Sequence, residues 1–311
     1  MTYKVKRKKI AVISGKGGVG KTSLVASLAS ITHKDTDNKI IVLDCDVDAP
    51  NLALILPPKS EKDVTITNTY TTKKARFLDE KCVQCKQCYD DHFCEFSALK
   101  WDENNNVPII DYLACEGCRA CKVLCPEDAF EINPVKSGEI LSYMANIGFP
   151  LIYGKTQLGS TTSGLLVSEV KERSTELKEF DNTNFVLIDG PPGIGCPVIA
   201  TVSGLDYIIA ITEPTPSGLH DLQRAIEIVN QLNIPFGIVI NKADLISASQ
   251  KQLNKYIKKS NYEILGNINF DLSIPEAMSY AEPVVDYAPE SVASQAIKKI
   301  YTKLMHVLSE L

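Results

Sequence analysis

The distribution of apolar residues along the chain predicts an α/β fold. Short continuous apolar runs, typical of strands buried on both faces, alternate with longer amphipathic stretches typical of helices. The runs that we interpret as strands are 10–13, 39–43, 185–188, 206–211, 235–240 and 263–268. The stretches that we interpret as helices are 23–31, 164–178, 217–232, 247–259, the surroundings of Ala277, and 291–308. This alternation predicts a doubly wound, mainly parallel sheet covered by helices on both faces.

An insertion interrupts this alternation. Residues 57–63 have the composition of a linker, residues 64–70 alternate weakly and are a candidate strand, and residues 137–164 have no clear period. Most of the cysteines lie between these segments. We therefore predict a core formed by 1–57 and 136–311, and an insert, 58–135, made of a linker (58–74) and a small domain (about 75–135).

The first predicted strand leads into a loop with the sequence of a phosphate-binding loop. The loop consists of Ser14, Gly15, Lys16, Gly17, Gly18, Val19, Gly20, Lys21 and Thr22, and the helix continues from Ser23. Its glycines let backbone N–H groups converge where the helix N-terminus adds its positive dipole end. Lys21 can reach the β- and γ-phosphates of a nucleotide, and the Thr22 hydroxyl can bind Mg²⁺. A glycine-rich turn without a ligand is the alternative, and the flanking strand and helix favour the phosphate site.

Aspartates follow two other predicted strands. Asp44, Asp46 and Asp48 come after the strand 39–43, and Asp189 comes after the strand 185–188. Because ligands gather at the carboxyl ends of parallel strands, we expect these carboxylates near the phosphates. Asp189 can hold Mg²⁺, and the N–H of Gly193, in the turn that follows, can contact a γ-phosphate. A helix N-cap is the alternative for one aspartate but not for three.

Two runs of closely spaced cysteines dominate the predicted insert. The run from Cys115 to Cys125, followed by proline, matches the bacterial pattern for a 4Fe–4S cluster, in which the fourth cysteine binds the other cluster. We therefore assign one cluster to Cys82, Cys85, Cys88 and Cys125, and the other to Cys94, Cys115, Cys118 and Cys121. Zinc is the competing metal, but two triplets with two outliers exceed what zinc needs.

The first cysteine run departs from this pattern. Five residues separate Cys88 from Cys94, and His92 occupies the place where the fourth cysteine is expected. The residues after Cys94 parallel those after Cys125, with an alanine and a large apolar residue at equal offsets. This repetition favours Cys94 as the ligand after a two-residue insertion, and His92 is the alternative.

Charge and composition restrict the possible functions. The net charge of −5 argues against a nucleic-acid binder driven by bulk charge, and the short basic cluster Lys4–Lys9 is predicted to be a solvated tail. No apolar stretch approaches the length of a membrane span or resembles a signal peptide. We therefore expect a cytoplasmic protein without stable membrane insertion, in which ten cysteines indicate metal rather than disulfides.

The second lysine of the loop, Lys16, resembles the signature lysine of the MinD/ParA family of dimeric ATPases, which includes the nitrogenase iron protein. Segments 189–197 and 212–221 strengthen the resemblance, which extends over the whole chain. It implies that Lys16 contacts nucleotide bound by the partner subunit. It also implies that Asp46 positions or activates the attacking water and that Asp44 supports the Mg²⁺ shell.

With its insert, the chain looks like a MinD-superfamily P-loop ATPase carrying a small α+β, bacterial-ferredoxin-like domain, and it is similar to Mrp-type iron–sulfur carriers. The resemblance implies ATP, Mg²⁺ and two 4Fe–4S clusters as cofactors. It implies a homodimer, or a dimer with a paralogue, on ATP binding, and a redox or apo-metalloprotein partner. The alternative is a positioning or regulatory ATPase whose clusters act as a redox sensor or as structure.

Two further features leave alternatives open. The sequence from Asn241 to Asp244 resembles the guanine-reading motif of GTPases, whereas MinD-type ATPases use an asparagine at this strand end to contact adenine; the family resemblance favours ATP. Cys196 lies seven residues after Asp189, the offset of a cluster-ligating cysteine in the nitrogenase iron protein. It is either a transient metal- or cluster-transfer site or a packed small residue. We expect Cys45 to be buried beside its strand.

Overall fold

A computed structural model of the chain describes residues 7–35, 39–160, 162–245 and 248–311. The chain divides into two compact units. Unit 1 comprises Met1–Ile66, Ile140–Lys155 and Val167–Leu311, and unit 2 comprises Thr67–Glu139 and Thr156–Leu166. Lys4 and Lys6 of the predicted basic tail, and the start of the predicted helix at residue 247, lie outside the described residues.

The strands and helices follow the predicted order. The strands are β1 (Lys8–Ser14), β2 (Ile40–Asp44), β3 (Thr65–Thr69), β4 (Thr72–Phe77), β5 (Leu99–Asp102), β6 (Val107–Ile110), β7 (Phe130–Val135), β8 (Gly138–Met144), β9 (Pro150–Thr156), β10 (Phe185–Pro192), β11 (Tyr207–Thr212), β12 (Phe236–Asn241) and β13 (Ile264–Ile268). The helices are α1 (Lys21–Lys34), α2 (Leu52–Ile55), α3 (Gln87–Asp90), α4 (Ala120–Leu124), α5 (Ser163–Thr175), α6 (Cys196–Val202), α7 (Pro216–Gln231), α8 (Ala248–Lys259), α9 (Ser273–Ser279), α10 (Val284–Tyr287) and α11 (Val292–Glu310).

A mainly parallel sheet forms the centre of unit 1. Within the described ranges its strand order is β13-β12-β11-β1-β10-β2-β9-β8-β3, and the chain passes between the units within β3, β8, β9 and α5. Each pairing from β13 through β9 is parallel, and β1 lies between β10 and β11. β2 and β11 are buried at every residue because helices cover both faces. The predicted mainly parallel α/β sheet is confirmed.

The apolar face of α11 belongs to the core of unit 1. Ile297, Ile300 and Leu304 are buried, and α11 packs so closely on β13 that a Cβ added to Gly266 would lie 2.5 Å from Ile300. None of the described helices combines the length and apolar character needed to cross a bilayer.

Two strands of the sheet come from the stretch without a clear period. β9 pairs in parallel with β2, with Leu151 opposite Val42. Only Leu151 and Ile152 form a consecutive fully buried apolar pair in β9, which also contains Pro150 and Gly154. So short an apolar segment has no periodicity of its own, and its pairing with β2 makes it a strand.

Unit 2 is a small α+β structure. β4 and β7 form an antiparallel pair, with Ala75 opposite Ile132, and β5 and β6 form another, with Trp101 opposite Pro108. The short helices α3 and α4 each contain one cysteine, and Phe130 is fully buried between the sheets and the cysteine loops.

The loop between β1 and α1 depends on left-handed glycines. Gly18 and Gly20 have φ angles of 77° and 93°. The side-chain Nδ2 of Asn241, at the end of β12, donates a hydrogen bond to the carbonyl of Val19 at 2.8 Å. A Cβ on Gly20 would lie 2.5 Å from that nitrogen, whereas a Cβ on Gly17 would meet no atom within 4 Å.

We predict that Gly20→Ala lowers the free energy of unfolding of the nucleotide-free protein by about 2 kcal/mol or more, because it adds backbone strain and displaces Asn241. Gly17→Ala is the matched control and should change it by less than about 0.5 kcal/mol. Urea unfolding followed by circular dichroism measures both. Equal effects of the two substitutions would contradict the role of this close approach.

Candidate functional site

A cleft of about 600 Å³ opens at the carboxyl ends of the parallel strands of unit 1. This volume is in the range of small-molecule sites. The residues that line it include Gly18, Lys21, Thr22, Asp46, Asn241 and Phe270. The glycine-rich loop, the segment after β2 and the end of β12 thus meet at one edge of the sheet, where the topology of parallel strands places ligands.

The carboxylate of Asp189 is the least satisfied group of this site. The residue is 1% exposed, and neither carboxylate oxygen has a hydrogen-bond partner in the described part of the chain. Burial raises the pKa of Asp189 to about 6, against the opposing effects of Lys21 and the Thr22 hydroxyl. A buried carboxylate with only the Thr22 hydroxyl and Lys21 near it is unfavourable unless a cation or a proton satisfies it, so this position fits Mg²⁺.

Asp44 is buried as well, but its carboxylate is fully engaged. It accepts hydrogen bonds from the backbone N–H groups of Asp46, Asn51 and Leu52 at 3.0, 3.1 and 3.0 Å. Burial and then the nearby charge of Asp189 raise the pKa of Asp44 well above its ordinary value. Asp44 therefore fixes the segment that carries Asp46 into the cleft.

Asp46 is half-buried beside the phosphate-binding loop. Burial raises its pKa, and the positive charge of Lys21 opposes that effect. Lys21 itself is buried at the start of α1. A carboxylate with a raised pKa is a stronger proton acceptor than an ordinary aspartate, which suits a residue that positions water.

Lys16 is directed toward its own chain. Its Nζ lies 3.4 Å from Oε1 of Glu213, in the connection from β11 to α7, and 3.4 Å from the hydroxyl of Ser217, in the first turn of α7. Lys242 reaches the other carboxylate oxygen of Glu213 at 3.2 Å. Burial would raise the pKa of Glu213, but these two lysines outweigh it and lower the pKa. The role of Glu213 was not foreseen from the sequence, although the residue lies in segment 212–221, which carries the family resemblance.

The segment from Asn241 to Asp244, at the end of β12, makes hydrogen bonds within the protein. Besides its bond to Val19, Asn241 accepts a hydrogen bond at Oδ1 from the backbone N–H of Lys242 at 2.9 Å. Asp244 accepts a hydrogen bond from the backbone N–H of Phe270 at 2.7 Å. Asn241 therefore couples the loop to the sheet, and Asp244 fixes the segment that forms one wall of the cleft.

Gly193 and Cys196, which follow Asp189 in the chain, differ in their contacts and exposure. Gly193 has a φ of 93° and donates its N–H to the carbonyl of Ser14 at 3.0 Å. Cys196 is exposed and is the first residue of α6. Cys45 is fully buried, as expected, and burial raises the pKa of its thiol.

Unit 2 gathers eight cysteines into two groups of four. One small cavity is lined by Cys82, Cys85, Cys88 and Cys125. Another is lined by Cys94, Cys115, Cys118 and Cys121. Burial, with the neighbouring thiols of the first group, raises the pKa of Cys88 to about 11, and burial with the thiols of the second group raises the pKa of Cys121 to about 11. Such clustering of thiols fits a metal centre that binds them as thiolates.

The backbone repeats between the two cysteine runs. Positive φ angles occur two and four residues after the first cysteine of each run, at Gln84, Lys86, Gly117 and Arg119. Three residues after Cys94 and after Cys125, Ser97 and Asp128 have φ angles of 53° and 50°. This repetition relates Cys94 to Cys125, as the sequence does. His92 is exposed.

Backbone N–H groups point at the sulfurs of both groups. Ala75 donates to Cys115 and Ala98 donates to Cys94, each at 3.3 Å, and Gln84 donates to Cys82 at 3.4 Å. Within the described ranges, no group of three or more His, Cys, Asp or Glu residues is close enough for a single metal ion. In a four-iron cluster each thiolate binds a different iron, so its ligands are spaced more widely than around one ion.

A buried lysine lies behind the second cysteine group and was not foreseen from the sequence. The ammonium of Lys74 donates to the carbonyls of Tyr112, Cys115 and Gly159, the last two at 3.1 and 3.0 Å. Three carbonyl oxygens replace the water that a buried ammonium would lose. Its alternating position in β4 could have indicated burial, but lysine is rarely buried.

Comparisons with known proteins agree with this architecture. The chain is 37% identical over 300 residues to an uncharacterized protein, MJ0578, of Methanocaldococcus jannaschii, covering 95% of this chain and 96% of that protein. It is 24% identical over 331 residues to an iron–sulfur cluster carrier protein of Pyrococcus abyssi, covering 100% and 92% of the two chains. The septum site-determining protein MinD of Pyrococcus horikoshii, solved with Mg-ADP, shares the fold with a TM-score of 0.54 at 17% identity, covering 96% of each chain.

The family comparison covers most of the chain. Residues 10–284 match the model of the CobQ/CobB/MinD/ParA nucleotide-binding domain. This range contains the phosphate-binding loop, the aspartates at the strand ends and the whole cysteine segment. The chain therefore belongs to the CobQ/CobB/MinD/ParA family of nucleotide-binding proteins.

Proposed function

We propose that the protein binds and hydrolyses ATP and carries two 4Fe–4S clusters, and that nucleotide-dependent dimerisation gates electron transfer or cofactor delivery to a partner protein. The observation that carries this proposal is the grouping of eight cysteines into two sets of four. They lie in one compact unit of a chain whose other unit contains a phosphate-binding loop. The name of the Pyrococcus abyssi relative, iron–sulfur cluster carrier protein, supports cluster handling.

The residues of unit 1 fit a nucleotide with Mg²⁺. Asp189 and Thr22 would hold the ion, which supplies positive charge beside the phosphates, and Asp44 supports this shell through the segment that it fixes. The structure of the MinD relative with Mg-ADP supports this reading. Lys21 and the loop N–H groups hold the β- and γ-phosphates, and Asp46 orients the attacking water and takes up its proton.

ATP binding has to rearrange two contacts. The N–H of Gly193 must leave the carbonyl of Ser14 before it can contact a γ-phosphate. Lys16 must leave Glu213 before it can reach nucleotide in a partner subunit. Both changes involve segments that follow strands of the sheet. Nucleotide in the cleft would therefore change the conformation of the surface at which a second subunit binds.

Adenine is the better fit for the base. Guanine recognition needs both carboxylate oxygens of Asp244, but Oδ1 accepts the N–H of Phe270, and the residues that line the cleft include Asn241 and Lys242 but not Asp244. Asn241 lines the cleft and has one N–H on Val19, which leaves its second N–H for the base. Cys196, exposed beside these segments, remains a candidate transfer site.

We predict that substitutions of Lys21 and Lys16 impair different steps, nucleotide binding and nucleotide hydrolysis. Lys21→Ala should weaken ATP binding about tenfold or more, because it removes a buried charge from the phosphates. Lys16→Ala should keep the ATP affinity but reduce hydrolysis about a hundredfold, because its charge is needed only when two subunits meet. Titration calorimetry and phosphate release measure these effects, with Lys255→Ala on α8 as the control. Wild-type hydrolysis by the Lys16 variant would contradict the cross-dimer role.

Protein purified without oxygen should contain about eight irons per chain, as two 4Fe–4S clusters imply. Cys94→Ser should lose iron from one cluster, and His92→Ala should retain the full content, because Cys94 lines the second cavity. Iron analysis and electron paramagnetic resonance of the reduced protein give the result. Zinc in place of iron, or loss of a cluster only in the His92 variant, would contradict the assignment.

Gating by nucleotide predicts that ATP shifts the midpoint potential of the clusters and ADP does not. A tenfold coupling between ATP binding and one-electron reduction corresponds to about 59 mV. Potentiometric titration with and without nucleotide measures this shift, and Lys21→Ala should abolish it. Unchanged potentials and unchanged reduction rates would favour clusters that serve as structure in a positioning or regulatory ATPase.

A further inference from the structure

Three cations surround a cavity beside the second cysteine group. The cavity has a volume of about 570 Å³ and is lined by Lys73, Arg119, Lys122, Val123 and Ile132. All three cations are exposed, and Val123 is 78% exposed. We call these three cations with Val123 the cation surface.

The cation surface borders the cysteines directly. Arg119 lines this cavity and also the one formed by the second cysteine group, and Lys122 follows Cys121 in the chain. The backbone of Lys73 packs so closely on Gly117 that an added Cβ would collide with the Lys73 carbonyl. Cys118, between Gly117 and Arg119, is exposed. A molecule bound at the cation surface would therefore lie next to this cysteine group.

These cations lack carboxylate partners, unlike the other exposed cations of unit 2. The ion pairs of unit 2 are Arg76–Glu131, Lys81–Asp128, Lys86–Glu103, Lys100–Asp111 and Lys136–Glu139. Among the described residues, Lys73, Arg119 and Lys122 form no ion pair, and the remaining cation, Lys74, is buried on carbonyl oxygens. Three adjacent unneutralised cations produce a local positive potential on a chain whose net charge is −5.

The first cysteine group has more acidic surroundings. Exposed carboxylates without an ion-pair partner among the described residues lie within three residues of its cysteines in the sequence. They are Asp79, Glu80, Asp90, Asp91 and Glu127. The same range around the second group contains three such carboxylates, Asp91, Glu95 and Glu116, together with the cations Arg119 and Lys122. The surroundings of the first group are therefore the more acidic, and a charged partner distinguishes between the two groups.

We propose that the cation surface is the docking site of an acidic protein partner. The docked partner would exchange electrons with, or receive a cofactor from, the second cysteine group. This proposal rests on the proposed function. The charge favours an acidic occupant, and the exposed Val123 beside an arginine is typical of protein interfaces. Three cations on a chain of net negative charge are too few for a nucleic acid, whose binding depends on many phosphate contacts.

The test uses anaerobically purified protein of verified iron content and flavodoxin, a strongly acidic flavoprotein, as the probe. Calorimetry at 20 and 200 mM salt compares wild type with the triple variant Lys73→Gln, Arg119→Gln, Lys122→Gln. The matched control is Lys251→Gln, Lys255→Gln, Lys259→Gln on α8, which removes the same charge from unit 1. A charge-preserving variant, Lys73→Arg, Arg119→Lys, Lys122→Arg, separates lost charge from impaired folding.

We expect the triple variant to bind flavodoxin at least about tenfold more weakly at low salt, and the control and charge-preserving variants within about twofold of wild type. The difference should shrink at 200 mM salt, where screening is strong. A carbodiimide, which couples touching amines and carboxylates, should cross-link the probe to Lys73 and Lys122.

Equal weakening in the control, unchanged binding in the triple variant, or cross-links at Lys81 and Lys86 would overturn the docking site. So would tighter binding of tripolyphosphate or of a single-stranded oligonucleotide than of flavodoxin. Absence of iron clusters from the wild-type protein would instead overturn the proposed function. Because binding is measured without electron transfer, the two failures are distinguishable.

Discussion

The nucleotide site depends on one electrostatic constraint, the burial of carboxylates at the ends of adjacent parallel strands. β2 and β10 bring Asp44 and Asp189 next to each other, away from water. The carboxylate of Asp44 accepts three backbone N–H groups, whereas no N–H group of the described residues is bonded to the carboxylate of Asp189. Desolvation raises both pKa values; the charge of Asp189 raises that of Asp44 further, and the charge of Asp46 raises that of Asp189. A proton or a cation relieves this unfavourable burial. The fold thus holds a cation-binding position ready before any ligand arrives.

The same constraint organises the segments around the cleft. Asp44 holds the connection that presents Asp46, and Asn241 holds the loop at Val19 from across the sheet. Glu213 holds Lys16 at the next strand end. The Asn241 and Glu213 contacts join residues far apart in sequence, so a change at one strand end alters its neighbours without a large movement of the sheet.

The stability of unit 2 has a different source, because a segment of this size has little apolar surface to bury. Its buried residues are few, and several of them are cysteines or contact cysteines. Metal binding by these thiolates would supply folding free energy that the apolar core does not provide. The repeated left-handed residues shape both loops around their sulfurs.

The sequence by itself determined the features that arise from local patterns. Periodicity located β1, β2 and β10 to β13 and the helices between them, and spacing identified the phosphate-binding loop and the cysteine runs. Only the tertiary structure decided which distant residues meet. It placed β8 and β9 in the sheet, brought Lys16 to Glu213 and buried the Asp189 carboxylate. Among the described residues it also left Lys73, Arg119 and Lys122 without ion pairs, beside one cavity. Local patterns reflect burial on one element, whereas hydrogen-bond and charge partners depend on how separate elements pack, which no single stretch of sequence encodes.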